Sequence, residues 1–289
     1  MFEYIKQIEC PGLRYPKIFT FKDINYLIGS KKYDQKNDIT KYGIFLSELD
    51  EELNIIKDIG FIELLDYKYL DDITLTAWTR DININDDILY LNIEIKQNVN
   101  NKTFYDNNTL FSTTNLIDFT LVKKYDVTDF LFKDLTYKND HYLFSSKLGK
   151  DEDNPDFFWG IYLFNIIKND IPIRPHFDAI VDYNKDKGHV IHNIVYNSLL
   201  DTHTMYFSIR HMVDKSIDTS GFIYKIYKAD TTNLIDYYNT QEIEFISKEL
   251  FSKWYSYPHY FKYKKEEYII CNQDDYGKYK LPVILKKNA

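Results

Sequence analysis

The chain has 289 residues, a formal charge of −8 from 36 basic and 44 acidic residues, and an aromatic content of 17%. Its 44% apolar and 28% charged residues exclude a disordered chain, and its 9 glycines and 7 prolines exclude collagen-like and low-complexity classes. The acidic balance argues against a nucleic-acid partner and against binding to an anionic membrane surface.

From the N-terminus onward, one pattern occurs five times: a short apolar and aromatic strand led by tyrosine, a polar loop and a second strand. The leading residues are Tyr26, Tyr90, Tyr142, Tyr206 and Tyr268. The intervals between them suit one four-stranded antiparallel sheet each, because aromatic and β-branched side chains favour strands. Five such sheets arranged radially predict an all-β fold, a five-bladed β-propeller in a single domain.

The repeat also predicts the limits of each blade. The N-terminal segment is the candidate to complete the last blade, which would bring the chain ends together. A disulfide between Cys10 and Cys271 is conceivable there, but two free buried thiols in a reducing compartment are the preferred interpretation. Neither a signal peptide nor a long apolar stretch is visible, so we expect a cytoplasmic protein without membrane insertion. The predicted blades are residues 12–65, 66–130, 131–185, 186–250 and 251–289.

A second repeat suggests a ligand site. The pair Tyr15-Pro16 precedes the first leading tyrosine as Tyr257-Pro258 precedes the last one. Proline is tolerated at the start of a strand, and the first strand of each propeller blade lines the axis. Tyr15, Tyr257 and His259 are therefore predicted to line a funnel, where aromatic faces suit a sugar ring. The alternative is that Tyr-Pro merely begins edge strands.

Further candidates lie between residues 174 and 211. His176 and Asp178 are two residues apart, so in a strand they would share a face and could act as a general base with an orienting carboxylate. The alternative is a loop histidine and a turn aspartate. A planar guanidinium suits sugar hydroxyls, although an interblade salt bridge is the other interpretation. The predicted ligand-binding residues of this segment are Arg174, His192, Arg210 and His211.

Residues 174–285 resemble the five-bladed β-propeller glycosidase superfamily, which includes arabinanases, β-xylosidases and levansucrase-like enzymes. The nearest resemblance is to a branch associated with bacterial capsule and lipopolysaccharide biosynthesis, and it places Arg210 near the ligand. The segments that carry the resemblance are Met205–Arg210, Tyr224–Asp230, Tyr257–Phe261 and Asn272–Lys278.

The resemblance implies three carboxylates around the funnel, because cleaving a glycosidic bond takes one protonated carboxyl and one ionised carboxylate. This chain departs from that pattern. Tyr15 stands before Pro16 where the superfamily often has an aspartate, and Ser252–Ser256 contains no acid. The predicted catalytic residues are then Asp71, Asp72, Asp178 and His176.

Two functional hypotheses follow. The first is a propeller that acts on a sugar, a nucleotide-sugar or a surface-polysaccharide precursor by glycosidase-like acid–base or transfer chemistry. The second is a glycan-binding or scaffold propeller that has lost its hydrolytic carboxylates, since fold alone does not determine function. Neither hypothesis calls for a metal or another cofactor, and both expect a carbohydrate or nucleotide-sugar ligand.

Overall fold

The structure is a computed structural model, and in several strands it describes the backbone alone. It describes residues 2–36, 39–64, 74–99, 102–124, 130–137, 140–151, 154–165, 175–178, 189–197, 199–212, 222–243, 245–246, 254–275 and 279–288. Among these residues there is no helix with the length and apolarity needed to cross a membrane.

All regular secondary structure in the described part of the chain is β-strand. In chain order the strands are β1 Phe2–Gln7, β2 Arg14–Phe21, β3 Ile24–Lys36, β4 Ile39–Leu49, β5 Ile55–Phe61, β6 Glu63–Leu64, β7 Thr74–Asn85, β8 Ile88–Val99, β9 Lys102–Thr113, β10 Asp118–Lys124, β11 Phe130–Tyr137, β12 Asp140–Asp151, β13 Asn154–Asn165, β14 His176–Phe177, β15 His189–Asn197, β16 Thr202–Met212, β17 Phe222–Thr231, β18 Asp236–Glu242, β19 Phe245–Ile246, β20 Trp254–Tyr263, β21 Glu266–Asp275 and β22 Tyr279–Lys287.

The described strands form four sheets. Their orders are β19-β1-β22-β21-β20, β2-β3-β4-β7-β8-β9-β10-β6 with β5 beside β4, β11-β12-β13, and β14-β18-β17-β16-β15. The predicted all-β β-propeller of antiparallel sheets is confirmed, but the described residues show four sheets and not five. In the nine-stranded sheet, β4 is joined to β7 by one parallel pair, Tyr42 with Thr76.

Five strands surround a common axis. Strand β2 contacts both β7 and β20, β7 contacts β11, β11 contacts β15, and β15 contacts β20. These contacts close a circle whose members are the first strands of successive antiparallel arrays. At the outer side, the N-terminal strand β1 pairs antiparallel with the C-terminal strand β22.

The hydrophobic core lies between neighbouring arrays. On β3, Ile28 belongs to a buried cluster with Ile93 of β8, whereas the adjacent Leu27 belongs to a cluster with Ile270 of β21. Successive side chains of a strand point to opposite faces, so both faces of β3 are buried. A third cluster joins β16 and β17 with β20 to β22 and contains Cys271. Cys10 and Cys271 are buried and free, as the sequence predicted.

Two outer turns have the same sequence and the same hydrogen bonds. They are Thr113–Asp118 before β10 and Thr231–Asp236 before β18. The threonine hydroxyl accepts the N–H of Leu116 at 3.0 Å and, in the other turn, that of Leu234 at 2.9 Å. These leucines have φ of 60° and 66°, a conformation that costs about 1–3 kcal/mol and is offset here by burial of the side chain.

Short parallel strands follow these outer edges. Strand β6 pairs with β10, β14 pairs with β18, and β19 pairs with β1. Each short strand lies in the connection between one array and the next. These connections therefore cross the outer edge of the following array before the chain returns to the axis.

Candidate functional site

Bulges interrupt the inner strands on the axis. The register of β2 against β3 shifts between Arg14 and Lys17, and that of β20 against β21 shifts between Ser256 and His259. The two Tyr-Pro pairs are thus the bulged residues of β2 and β20. Both strands also end their sheets, and an edge strand or a bulge is where proline fits a sheet. A bulge changes the direction of side chains and is common next to active sites.

The backbone of Tyr15 is strained and held by side chains from two other strands. Tyr15 and Tyr257 have φ of 54° and 59°, which is unusual for aromatic residues. The Tyr15 N–H donates to Asn272 Oδ1 at 3.1 Å, and the Thr79 hydroxyl donates to the Tyr15 carbonyl at 3.1 Å. Asn272 in turn donates to the Leu13 carbonyl at 2.7 Å. These hydrogen bonds position the Tyr15 ring between β7, β20 and β21.

Three aromatic rings meet at this point. The ring centroids of Tyr15 and Tyr257 are 4.1 Å apart with an interplanar angle of 43°, and those of Tyr15 and Trp78 are 5.9 Å apart with an angle of 37°. The rings come from β2, β20 and β7, which are consecutive strands of the inner circle. Each such contact contributes about 0.5–1.5 kcal/mol beyond area burial and leaves an aromatic surface suited to a sugar ring.

A buried ion pair adjoins the rings. Arg80 donates through Nη2 to Glu94 Oε2, and the two residues are 7% and 1% exposed. The guanidinium carbon lies 4.9 Å from the Tyr15 ring centroid and 5.7 Å from that of Trp78. Burial lowers the pKa of Arg80, and the adjacent Tyr15 and Tyr257 oppose that shift. Because arginine stays protonated in proteins, the pair is ionic.

Several buried polar atoms beside the pair have no hydrogen-bond partner in the described part of the chain. They are Glu94 Oε1, Trp78 Nε1 and both side-chain amide atoms of Asn92. Trp78 is directly opposite Glu94 in the β7–β8 register. Buried polar groups in folded proteins nearly always bond to protein or water, and each one left unpaired costs about 1–3 kcal/mol. This set can therefore bond to hydroxyl groups or water.

The residues directly after the described bulges are also polar. Lys17, Asp81 and His259 occupy this position in β2, β7 and β20, and all three are buried. His259 was predicted at the funnel, and it lies on β20 opposite Ile270 of β21.

His176 and Asp178 lie far from the axis in their sheet. Strand β14 is at the opposite end of its sheet from the inner strand β15. Asp178 accepts the N–H groups of Asn239 at 2.8 Å and Thr240 at 3.1 Å. The nearby Thr240 hydroxyl and the hydrogen bonds from these backbone groups hold the pKa of Asp178 below its usual value. The two residues therefore belong to an outer connection, and the structure does not bring them to Tyr15 and Tyr257.

Other predicted residues are only partly described. Asp71, Asp72 and Arg174 lie outside the described residues. For His192 on β15, and for Arg210 and His211 on β16, the backbone is described and the side chain is not. Within the ranges that the structure describes, no three histidine, cysteine, aspartate or glutamate residues are grouped as metal ligands would be.

Sequence comparison and structural comparison give different results. No protein-family model and no curated protein matches the chain. Among solved structures, a thermostable family-43 glycoside hydrolase has a TM-score of 0.71 at 10% identity, with 99% of this chain and 93% of that one covered. A Bacillus subtilis arabinanase has a TM-score of 0.59 at 10% identity, covering 98% and 96%.

A third structure extends this comparison. The GH32 β-fructofuranosidase of Bombyx mori has a TM-score of 0.57 at 10% identity, with 99% of this chain and 62% of that one covered. At such identities the likeness concerns the fold. The chain therefore has the β-propeller fold found in these glycoside hydrolases.

Proposed function

We propose that this protein is carbohydrate-active and binds a saccharide on the propeller axis, against Tyr15, Tyr257 and Trp78. The observation that carries the proposal is the convergence of these rings with the buried Arg80–Glu94 pair. Aromatic faces bind the apolar side of a sugar ring, and charged hydrogen-bonding groups bind its hydroxyls. The glycoside hydrolases with this fold support the same proposal.

We also propose that the propeller has five blades. Five inner strands, β2, β7, β11, β15 and β20, contact one another in a circle, and each begins an antiparallel array. On this view β2–β5 and β7–β10 are separate blades that one residue pair connects. An experimental structure with five sheets around the axis is expected, and one with four would contradict this count.

Binding is tested by titrating the protein with arabino-, xylo- and fructo-oligosaccharides, galacturonate oligomers and UDP-sugars in a calorimeter. Tyr15→Ala and Tyr257→Ala should each weaken binding about tenfold, which corresponds to about 1.4 kcal/mol. Tyr238→Ala is the control, because Tyr238 lies on β18, near the outer end of its sheet and three strands away from the inner strand β15. Equal affinities for all three variants and the unaltered protein would remove the axial site.

Hydrolysis is the second candidate function. Glu94 supplies one carboxylate beside the rings, and Asp71 and Asp72 remain candidates for the second one that such chemistry needs. Release of reducing ends, abolished by Asp71→Asn or Asp72→Asn with binding retained, is the expected result for an enzyme. Binding without any turnover would favour the non-catalytic glycan-binding propeller.

The resemblance carried by Met205–Arg210 and Asn272–Lys278 supports a narrower proposal. It is that the substrate is a nucleotide-sugar or a surface-polysaccharide precursor in the bacterial cytoplasm. Turnover of UDP-sugars in the same panel, with no turnover of neutral oligosaccharides, is the expected outcome. Turnover of neutral oligosaccharides alone would contradict it.

A further inference from the structure

The bulges of β2 and β20 have counterparts in the other three inner strands. The register of β7 against β8 shifts between Thr79 and Asp81, which leaves Arg80 as the extra residue. The register of β11 against β12 shifts between Leu131 and Lys133. That of β15 against β16 shifts between Ile191 and Asn193. The extra residues of β11 and β15 are therefore Phe132 and His192.

All five bulges lie the same number of residues before the end of their inner strand. In each inner strand the last bulged residue precedes the final residue of the strand by five positions. The final residues are Phe21, Asn85, Tyr137, Asn197 and Tyr263. Because a strand rises about 3.3 Å per residue, each bulge lies at about the same distance from the end of its own strand. The inner strands also contact their neighbours around the circle.

Where the side chains are described, the bulged residues contact one another. Tyr15 meets Tyr257 across the gap between β2 and β20, and Arg80 meets Tyr15 across the gap between β2 and β7. Three of the five bulges thus already form one continuous cluster. The register gives the other two inner strands the same interruption, five residues before the strand end, as a common function for all five bulges requires.

We propose that the five bulges form a single ligand-contacting belt, and that Phe132 and His192 are its members from β11 and β15. This inference rests on the proposed saccharide site. It extends that site to β11 and β15, the two inner strands opposite β2 in the circle. Phe132 adds another aromatic surface for a sugar ring, and His192 adds an imidazole that can donate to or accept from a hydroxyl. The belt then combines aromatic rings with two nitrogen donors.

The strands offer matched controls for both residues. Phe158 lies on β13, two strands away from β11 in the same sheet, and His189 stands three positions before His192 on β15, outside the bulge. The probe is whichever saccharide of the panel the unaltered protein binds with the highest affinity. Phe132→Leu and His192→Ala should each raise its Kd about tenfold, whereas Phe158→Leu and His189→Ala should change it less than about twofold.

Thermal unfolding of each variant accompanies the titration. If a belt variant does not fold, Phe132→Tyr or His192→Gln replaces it, and a change in Kd of about threefold or more is expected. Belt variants that match their controls, while Tyr15→Ala still weakens binding, would overturn the belt and leave the proposed function intact. If the unaltered protein binds no saccharide of the panel, the proposed function itself is overturned.

Discussion

The nine-stranded sheet and the five-stranded sheet β14-β18-β17-β16-β15 are most alike at their outer turns. They differ at their inner strands. Their turns Thr113–Asp118 and Thr231–Asp236 are identical in sequence and make the same hydrogen bonds. Their inner strands β7 and β15 each have a bulge five residues before the strand end, and the extra residue is Arg80 in β7 and His192 in β15. The same local sequence thus gives the same outer turn in both sheets, whereas the inner-strand bulge recurs with a different residue type.

The same comparison shows one difference within the outer strands. Phe119 pairs with Leu64, and at the equivalent position Tyr237 pairs with Phe177. Both rings are buried, and the Tyr237 hydroxyl has no hydrogen-bond partner in the described part of the chain. The second array therefore carries a buried polar group that the first one lacks.

The largest expected effect concerns the inner ion pair. Glu94→Ala leaves the buried Arg80 guanidinium without its counter-charge, so the free energy of unfolding should fall by about 3–5 kcal/mol in urea denaturation. Glu242→Ala is the control, since the Lys225–Glu242 pair is 38% and 40% exposed and should contribute less than about 1 kcal/mol. Equal losses for the two variants would show that the inner pair is not specially buried.

The next largest effect is expected when the aromatic residues of the outer strands β10 and β18 are exchanged. Tyr237→Phe should raise the free energy of unfolding by about 1 kcal/mol, and Phe119→Tyr should lower it by about 1–3 kcal/mol, because a buried unpaired hydroxyl is removed or introduced. Denaturation of both variants beside the unaltered protein measures the change. A destabilised Tyr237→Phe would mean that its hydroxyl is satisfied in solution.

The stability of Tyr237→Phe at alkaline pH gives a second test of this buried hydroxyl. Burial raises the pKa of Tyr237 well above the ordinary tyrosine value. The unfolded chain ionises first, so the stability that depends on the protonated hydroxyl is complete below about pH 10 and is lost as the pH rises beyond it. Tyr237→Phe should therefore lose less stability between about pH 9 and 11 than the unaltered protein. Identical pH profiles would contradict the burial of this hydroxyl.

The two identical turns should respond equally to the same substitution. Thr113→Ala and Thr231→Ala should each lower the free energy of unfolding by about 1 kcal/mol, because each removes a hydroxyl that accepts backbone N–H groups. Thr114→Ala, at the exposed neighbouring position, should have little effect. Unequal losses in the two turns would show that their surroundings matter more than their sequence.

The smallest expected effect concerns Asp178. Because it lies on an outer connection, Asp178→Asn should change the Kd for a saccharide less than about twofold. Its lowered pKa means that its contribution to stability is present above the ordinary aspartate pKa and is lost as the pH falls through the folded value. The stability of the variant should therefore fall less at acidic pH than that of the unaltered protein. A large loss of saccharide binding would contradict the placement of Asp178 on an outer connection.

Much of the architecture followed from sequence alone. The leading tyrosines, from Tyr26 to Tyr268, lie in the second strands β3, β8, β12, β16 and β21, and the repeated Tyr-Pro pairs lie on the inner strands β2 and β20. Alternating apolar side chains and positions that tolerate proline are local properties, so they can be read along the chain.

Only the tertiary structure revealed the rest of the site. A bulge is defined by the partner strand, so the role of Arg80 between Thr79 and Asp81 required the register with β8. Glu94 is a charged residue inside an apolar strand, and its burial depends on the guanidinium that another strand supplies. His176 and Asp178 showed the spacing of an inner pair, yet pairing with β18 keeps them at the outer edge. Chain spacing determines which residues share a strand face, whereas strand pairing determines which of those faces reaches the axis.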